Sequence, residues 1–159
     1  MKDIDKLLAR VKIEEQLYRY CRSIDQKDWE GVRSCFDAQH VHKHGSYTGD
    51  LDGFIFYAKP VVDGMHAGHH SISNLVVDVS DDILSASSQA YFTAIHKIGG
   101  TQMAKMKFFS PEMKEVDSDW IVAGYYNDRW VFRDGQWLII ERNAGHVWER
   151  VEPVTPEPL

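Results

Sequence analysis

A chain of 159 residues is most simply one domain, long enough to bury a core without a metal or disulfide staple. It is 43% hydrophobic and 26% charged, and a net charge of −6 with scattered lysines and arginines argues against nucleic acid or an anionic membrane as partner. No apolar run is long enough to span a bilayer, the N-terminus has no apolar signal region, and Cys21 and Cys35 lack metal-ligand spacing, so a cytoplasmic protein with reduced thiols is expected.

From Asp3 onward Ile4, Leu7, Leu8, Val11, Tyr18 and Cys21 recur at three- and four-residue steps, which predicts a long amphipathic helix ending near Asp25. Trp29, Val32, Cys35 and Phe36 signal a second, short helix. Gln39 to His44 reads as a short strand, closed by the turn material Gly45 to Gly49. A third helix runs from Asp50 or Leu51 to about Tyr57, with Asp50 as N-cap and Pro60 kinking or ending it. The remainder reads mostly as strand: His70 to Val79, Leu84 to Ile98, Asp119 to Phe132 and Trp137 to Arg150. Asp134-Gly135 between the last two is a two-residue hairpin turn, because both residues tolerate positive φ. Gly99 to Ser118 lacks clean periodicity and is long for a hairpin connection, so it reads as a functional lid or a mobile excursion. Residues 1–150 form the expected domain, and residues 151–159, rich in proline, an extended tail.

Two features point to proton chemistry. Met65-His66-Ala67-Gly68 delivers the adjacent histidines His69 and His70 to the start of a strand, and imidazole titrates close to neutral pH. Upstream, the first helix closes on Asp25, where an apolar residue would continue the stripe. A carboxylate beside an imidazole fixes its tautomer and stabilises the imidazolium formed on proton uptake. Alternation places His70, Ile72, Asn74 and Val76 on one face and His69, Ser71, Ser73 and Leu75 on the other, and leaves the choice between His69 and His70 open. His40, His42 and His44 share one face of the early strand; that spacing could hold a metal, but an exposed or interface strand is the reading adopted, with no metal site.

The order of elements, with Tyr20 to Asp25 and Asp28-Trp29, His69-His70 through Asn74, Tyr126 to Trp130, and Arg133 to Asn143, resembles the SnoaL-like branch of the NTF2-like superfamily over Ile4 to Trp148. The resemblance implies an α+β fold, a cone-shaped barrel in which N-terminal helices pack on a strongly curved antiparallel or mixed sheet. Within the superfamily the chain looks most like cofactor-free lyases: scytalone dehydratase, bile-acid 7α-dehydratase and hexachlorocyclohexane dehydrochlorinase. Carried over, their histidine base falls on His70 and its aspartate partner on Asp25, with Tyr20, His96 and Arg142 matching further catalytic positions. Phe54, Tyr18, Asn74, Tyr126, Asp128, Trp130 and His146 are the expected substrate-binding residues. The implied activity is elimination from an apolar aromatic or polycyclic molecule without a cofactor, in a homotrimer or homodimer; an isomerase, a cyclase or a non-catalytic binding domain are the rivals.

Two placements conflict with elementary geometry. Residues five apart on a helix diverge by about 140°, so Tyr20 and Asp25 would not share a face, whereas Tyr18 and Cys21 lie nearer it. Counting outward from the Asp134-Gly135 turn sets Arg142 opposite Asn127 and Asp128 opposite Glu141, so an Arg142–Asp128 pair requires a bulge.

Overall fold

The structure, a computed structural model, describes residues 2–106 and 115–154. Helix α1 (Lys2–Asp25) is followed by the short α2 (Trp29–Arg33), strands β1 (Phe36–His44) and β2 (Tyr47–Gly49), and helix α3 (Leu51–Asp63). Strands β3 (Ala67–Val79) and β4 (Ser85–Ile98), the one-and-a-half-turn α4 (Gly100–Lys105), and strands β5 (Ser118–Arg133) and β6 (Gln136–Pro153) complete the order.

The six strands form one mixed sheet in the order β2-β1-β6-β5-β4-β3, with β1 parallel to β6 and every other pair antiparallel. The α+β class stands, but the expected cone-shaped barrel on a strongly curved sheet does not. The sheet is open, with β2 and β3 as its two edges. The short edge explains this: β2 spans three residues and offers too few backbone donors and acceptors to close on a strand of thirteen. Helices cover the inward face instead, α1 against β3 and β6, α3 against β1 and β2.

Helix α1 is where periodicity misled most. Its buried apolar residues are Ala9, Ile13, Leu17, Tyr20, Cys21 and Ile24, a stripe with the right three- and four-residue spacing. The competing set of Ile4, Leu7, Leu8, Val11 and Tyr18 faces solvent; Ile4 is 63% exposed. Both sets have helical spacing, and both carry large aliphatics, Ile13, Leu17 and Ile24 within and Ile4, Leu7 and Leu8 without.

Helix α3 begins as predicted, with Asp50 accepting a hydrogen bond from the Gly53 N–H. It runs past Pro60 to Asp63 rather than stopping near Tyr57; the proline sits in its last exposed turns, where a lost backbone bond is met by solvent. Part of the predicted turn after β1 is the strand β2. Helix α4 arises where no element was expected, in the segment read as a lid or excursion, and buries Met103 against the core; residues 107–114 of that segment lie outside the described residues. The predicted tail is partly strand, since β6 reaches Pro153, and 155–159 lie outside the described residues.

The hairpin turn is as expected, Asp134 and Gly135 having φ of 52° and 78°. Its strands then carry the bulge that the Arg142–Asp128 pair requires. Trp130 pairs with Ile139 but Arg129 with Glu141, so Ile140 is an extra residue in β6. Beyond it the inward positions change from Trp137 and Ile139 to Arg142 and Ala144. Strand β3 has a second bulge between Ser73 and Val76, where Asn74 takes φ 51°. Inward positions there change from Gly68, His70 and Ile72 to Leu75, Val77 and Val79.

Candidate active site

The C-terminus of α1 abuts the start of β3, and there His70 Nδ1 lies 2.6 Å from Asp25 Oδ1. The second carboxylate oxygen, Oδ2, accepts from the His70 backbone N–H at 3.0 Å, so both oxygens are held by one residue. With Nδ1–H donated to the carboxylate, Nε2 is the imidazole's free, unprotonated nitrogen. Burial opposes ionisation of Asp25, but the ring and backbone hydrogen bonds from His70 outweigh it and hold the carboxyl below its ordinary range. Gly68 permits the approach: a Cβ there would stand 3.2 Å from Asp25 Oδ1. Of the two adjacent histidines His70 is the one that meets the carboxylate; His69 is exposed on the outer face with its Nε2 3.0 Å from the Ser71 hydroxyl.

His70 fronts a cavity of about 360 Å³ between α1, α3 and the sheet, within the range of small-molecule sites. Tyr20, Phe54, Tyr126, His96 and His146 of the predicted residues line it; Asp25 does not, standing behind His70. The rest of the wall is mainly apolar or aromatic, contributed by residues such as Ile24, Val61, Val62 and Phe92. The rings of His70 and His96 meet edge to face at 5.3 Å. His96 Nδ1 lies 3.1 Å from the Trp120 carbonyl oxygen, so it donates there and turns a lone pair outward from Nε2. Burial and the neighbouring His70 lower its pKa to about 4, so the ring is neutral at pH 7. In that state His96 accepts hydrogen bonds from a ligand and cannot donate one. The phenols can: burial pushes Tyr20 up to about 12, against the pull of Arg142, and holds Tyr126 above its ordinary range. A carboxylate also reaches the wall, Glu149 Oε2 accepting from Trp120 Nε1 at 3.0 Å.

Arg142 is not part of that wall. Its guanidinium is fully buried and donates twice to Asp128, Nε to Oδ1 at 2.8 Å and Nη2 to Oδ2 at 2.6 Å. The rings of Tyr20 and Tyr126 flank it, 4.3 and 4.1 Å from Cζ to each centroid. Burial alone would lower the pKa of Arg142; Asp128 more than reverses that and keeps the cation charged. The pair therefore supports the cavity floor from behind the two tyrosines.

A profile of the SnoaL-like domain matches residues 5–143. The chain belongs to the SnoaL-like domain family. No protein among those of curated function matches the sequence. Among solved structures, a Novosphingobium aromaticivorans protein provisionally called a scytalone dehydratase is similar at 21% identity and a TM-score of 0.75, covering 98% of this chain and 94% of its own. A hexachlorocyclohexane dehydrochlorinase from Novosphingobium barchaimii is similar at 16% identity, TM-score 0.72, covering 97% and 95%. A Kribbella flavida protein is similar at 18% identity, TM-score 0.72, covering 91% and 95%. At these identities the likeness concerns the fold.

Within this SnoaL-like domain the other predicted binding residues fall elsewhere. Tyr18 lies on the outer face of α1 and donates to Glu14. Asn74 sits at the β3 bulge and is exposed, the positive φ having turned it out of the inward row. Asp128 is consumed by Arg142, and Trp130 is buried with its indole N–H donating to Ser88 Oγ at 2.8 Å. Both follow Trp120, Val122 and Tyr126 in the inward row of β5, beyond the cavity that those three line. The reading of His40, His42 and His44 as an exposed strand is also overturned: His40 and His42 are 3% and 0% exposed. His40 Nε2 lies 2.9 Å from His42 Nδ1, and His42 stacks on Phe54 at 3.7 Å between centroids. No group of three or more histidines, cysteines or carboxylates among the described residues is arranged to hold a metal. His44 lines the cavity and was passed over; its place in the alternating row with His42, inward once the strand is buried, was the available signal. No helix among the described residues is long and apolar enough to cross a membrane.

Proposed function

We propose that this SnoaL-like domain is a cofactor-independent lyase acting on an apolar, aromatic or polycyclic small molecule. The observation that carries the reading is the 2.6 Å contact between His70 Nδ1 and Asp25 Oδ1 at the edge of a largely apolar cavity. His70 Nε2 is the general base and removes a proton from a substrate carbon; Asp25 orients the ring and stabilises the imidazolium. The carbon's electron pair forms a double bond as the leaving group departs from the neighbouring carbon. Tyr20, protonated and on the cavity wall, hydrogen-bonds to the leaving oxygen as the carbon–oxygen bond breaks, and the oxygen departs as water with the proton that His70 Nε2 had taken, which restores the neutral ring. His96 accepts a hydrogen bond from a substrate hydroxyl and so positions it. An isomerase or cyclase would use the same proton abstraction and differ in the fate of the carbanion.

A panel of aromatic β-hydroxyketones, followed by NMR in deuterated water, tests this. The expected result is loss of water or deuterium exchange next to the carbonyl by the wild type. His70→Ala should lower turnover by about 10²- to 10⁴-fold, the range for loss of a positioned base. Asp25→Asn should also lower it. Turnover intact in both variants, with stability unchanged, would sink the enzyme reading; tight binding of an aromatic ligand without turnover would favour a binding domain.

A further inference from the structure

The cavity has a second group of polar atoms apart from His70 and His96. His44, in the last turn-ward position of β1, stacks on Phe54 at 5.5 Å and 23° and on His42 at 5.8 Å and 11°. The edge of His146 meets it at 6.0 Å. Three rings therefore fix its plane, an orientation that a loosely held surface histidine would not have. Gly45, Ser46 and His146 beside it are exposed, which places His44 toward the open side of the cavity.

The hydrogen-bond inventory of His44 is incomplete. Its Nδ1 is shut off from solvent and has no partner, and among the described residues no hydrogen bond reaches Nε2 either. Burial, then His146, Arg142 and His70, push its pKa down to about 3, so the ring is neutral and carries one N–H. An orphaned buried donor is rarer than an orphaned acceptor, which puts the proton on Nε2 and leaves the sealed Nδ1 with only a lone pair. The ring is thus a rigid, uncharged donor facing the cavity, and a ligand that displaces solvent from Nε2 without supplying an acceptor leaves that donor unpaired.

We infer that His44 Nε2–H donates a hydrogen bond to an oxygen of the ligand, making His44 a specificity-determining residue for oxygenated aromatic compounds whose acceptor lies away from the carbon facing His70. This role rests on the cavity's being the substrate site, not on the chemistry assigned to His70. The ligand class is correspondingly narrow: a fused or substituted ring with a carbonyl, ether or phenolic oxygen at one end and the reacting carbon at the other. A bare hydrocarbon would leave the imidazole unpaired and bind less well than its shape allows.

Calorimetric titration with 1-tetralone and with tetralin, the same bicyclic frame with and without a carbonyl, separates the outcomes. His44→Phe keeps a ring to stack on Phe54 and removes both nitrogens. The ketone-to-hydrocarbon affinity ratio should fall about three- to tenfold relative to wild type, the worth of one ordinary hydrogen bond, with tetralin affinity held as the sign of an intact cavity. His44→Gln, which keeps an N–H donor, should recover part of the ratio. An unchanged ratio in His44→Phe overturns the donor role and leaves the cavity reading standing. Failure of the wild type to bind either compound overturns both.

Discussion

Replacing Arg142 by Met, with Asp128 intact, tests the assignment of that ion pair to the support of the cavity. Both side chains are 0% exposed, so the variant strands a carboxylate with no water and no cation. Breaking a buried pair by removing one member costs about 3–5 kcal/mol, most of it the desolvation of the partner left behind. The guanidinium also lies within 4.3 Å of the Tyr20 centroid and 4.1 Å of that of Tyr126, and desolvated cation–π contacts add about 1–2 kcal/mol. A total of about 4–7 kcal/mol would consume a large part of the stability of a domain this size. Asp128→Asn in the same chain removes the stranded charge and should return about 2–3 kcal/mol. Urea unfolding followed by tryptophan fluorescence measures all four members of the cycle, and thermal scans should show roughly 2–4 °C per kcal/mol. If Arg142→Met costs less than about 1 kcal/mol, or if Asp128→Asn recovers nothing, the pair does not carry the floor of the site. A variant of full stability that lost only turnover would instead put the cation in contact with the ligand.

Acid should weaken the fold before it removes the carboxylate interactions. His40 and His96 have pKa values lowered to about 4 and His44 to about 3, burial being the first cause in each. The unfolded chain therefore binds more protons than the native one from pH 6.5 downward, and stability falls as pH drops through that window and is flat above it. Each such histidine contributes a slope of about 1.4 kcal/mol per pH unit inside its window, which urea midpoints between pH 4 and pH 7 would reveal; a midpoint constant over that range would count against buried neutral imidazoles. Gly68→Ala should crowd Asp25 Oδ1, where the Cβ would stand at 3.2 Å, and shift the hydrogen-bonded Nδ1 proton of His70 upfield in NMR; an unmoved resonance would mean that the carboxylate gives way freely. Trp130→Phe orphans the Ser88 hydroxyl in the core and should cost about 1–3 kcal/mol by urea unfolding. Gly135→Ala, at φ 78° with nothing within 4 Å of the new Cβ, isolates backbone strain and should cost about 1 kcal/mol with no change elsewhere in a heteronuclear NMR spectrum.

The elements that could be read from local chemistry were those whose signal has one solution. Asp134-Gly135 admits few turns, and Asp50 before an apolar stretch caps a helix in nearly any context. The strands of the second half were recognised because alternation survives over long spans. Failures came where two patterns competed or where one residue changed the count. Along α1 the outer aliphatics Ile4, Leu7, Leu8 and Val11 are bulkier than Ala9, and nothing within the helix tells which stripe a sheet will cover. That choice decided Tyr18 against Tyr20. Asn74 and Arg142 were misplaced by single extra residues, and bulges carry no strong compositional mark. His70 and Asp25 were found because family resemblance supplied a pairing that sits 45 residues apart in the chain. Alternation showed that His40, His42 and His44 share a face but not which way it turns, since polar residues in alternation ordinarily mark a solvent face.

Ile140 makes β6 behave as two strands with opposite reading frames. Upstream of it odd-numbered positions build the interior, and from Arg142 to His146 even-numbered ones do, until a second extra residue, Val147, returns the count to odd at Glu149 and Val151. Deleting that one residue would remove the bulge and leave both halves on their present sides: Trp137, Ile139, Arg142 and Ala144 would then alternate without a break, and the guanidinium would stay opposite Asp128. The frame of this strand is therefore set by the count of residues rather than by the identity of the one at the bulge, and a lineage could lose that residue through a single codon and still keep the charged floor of the cavity.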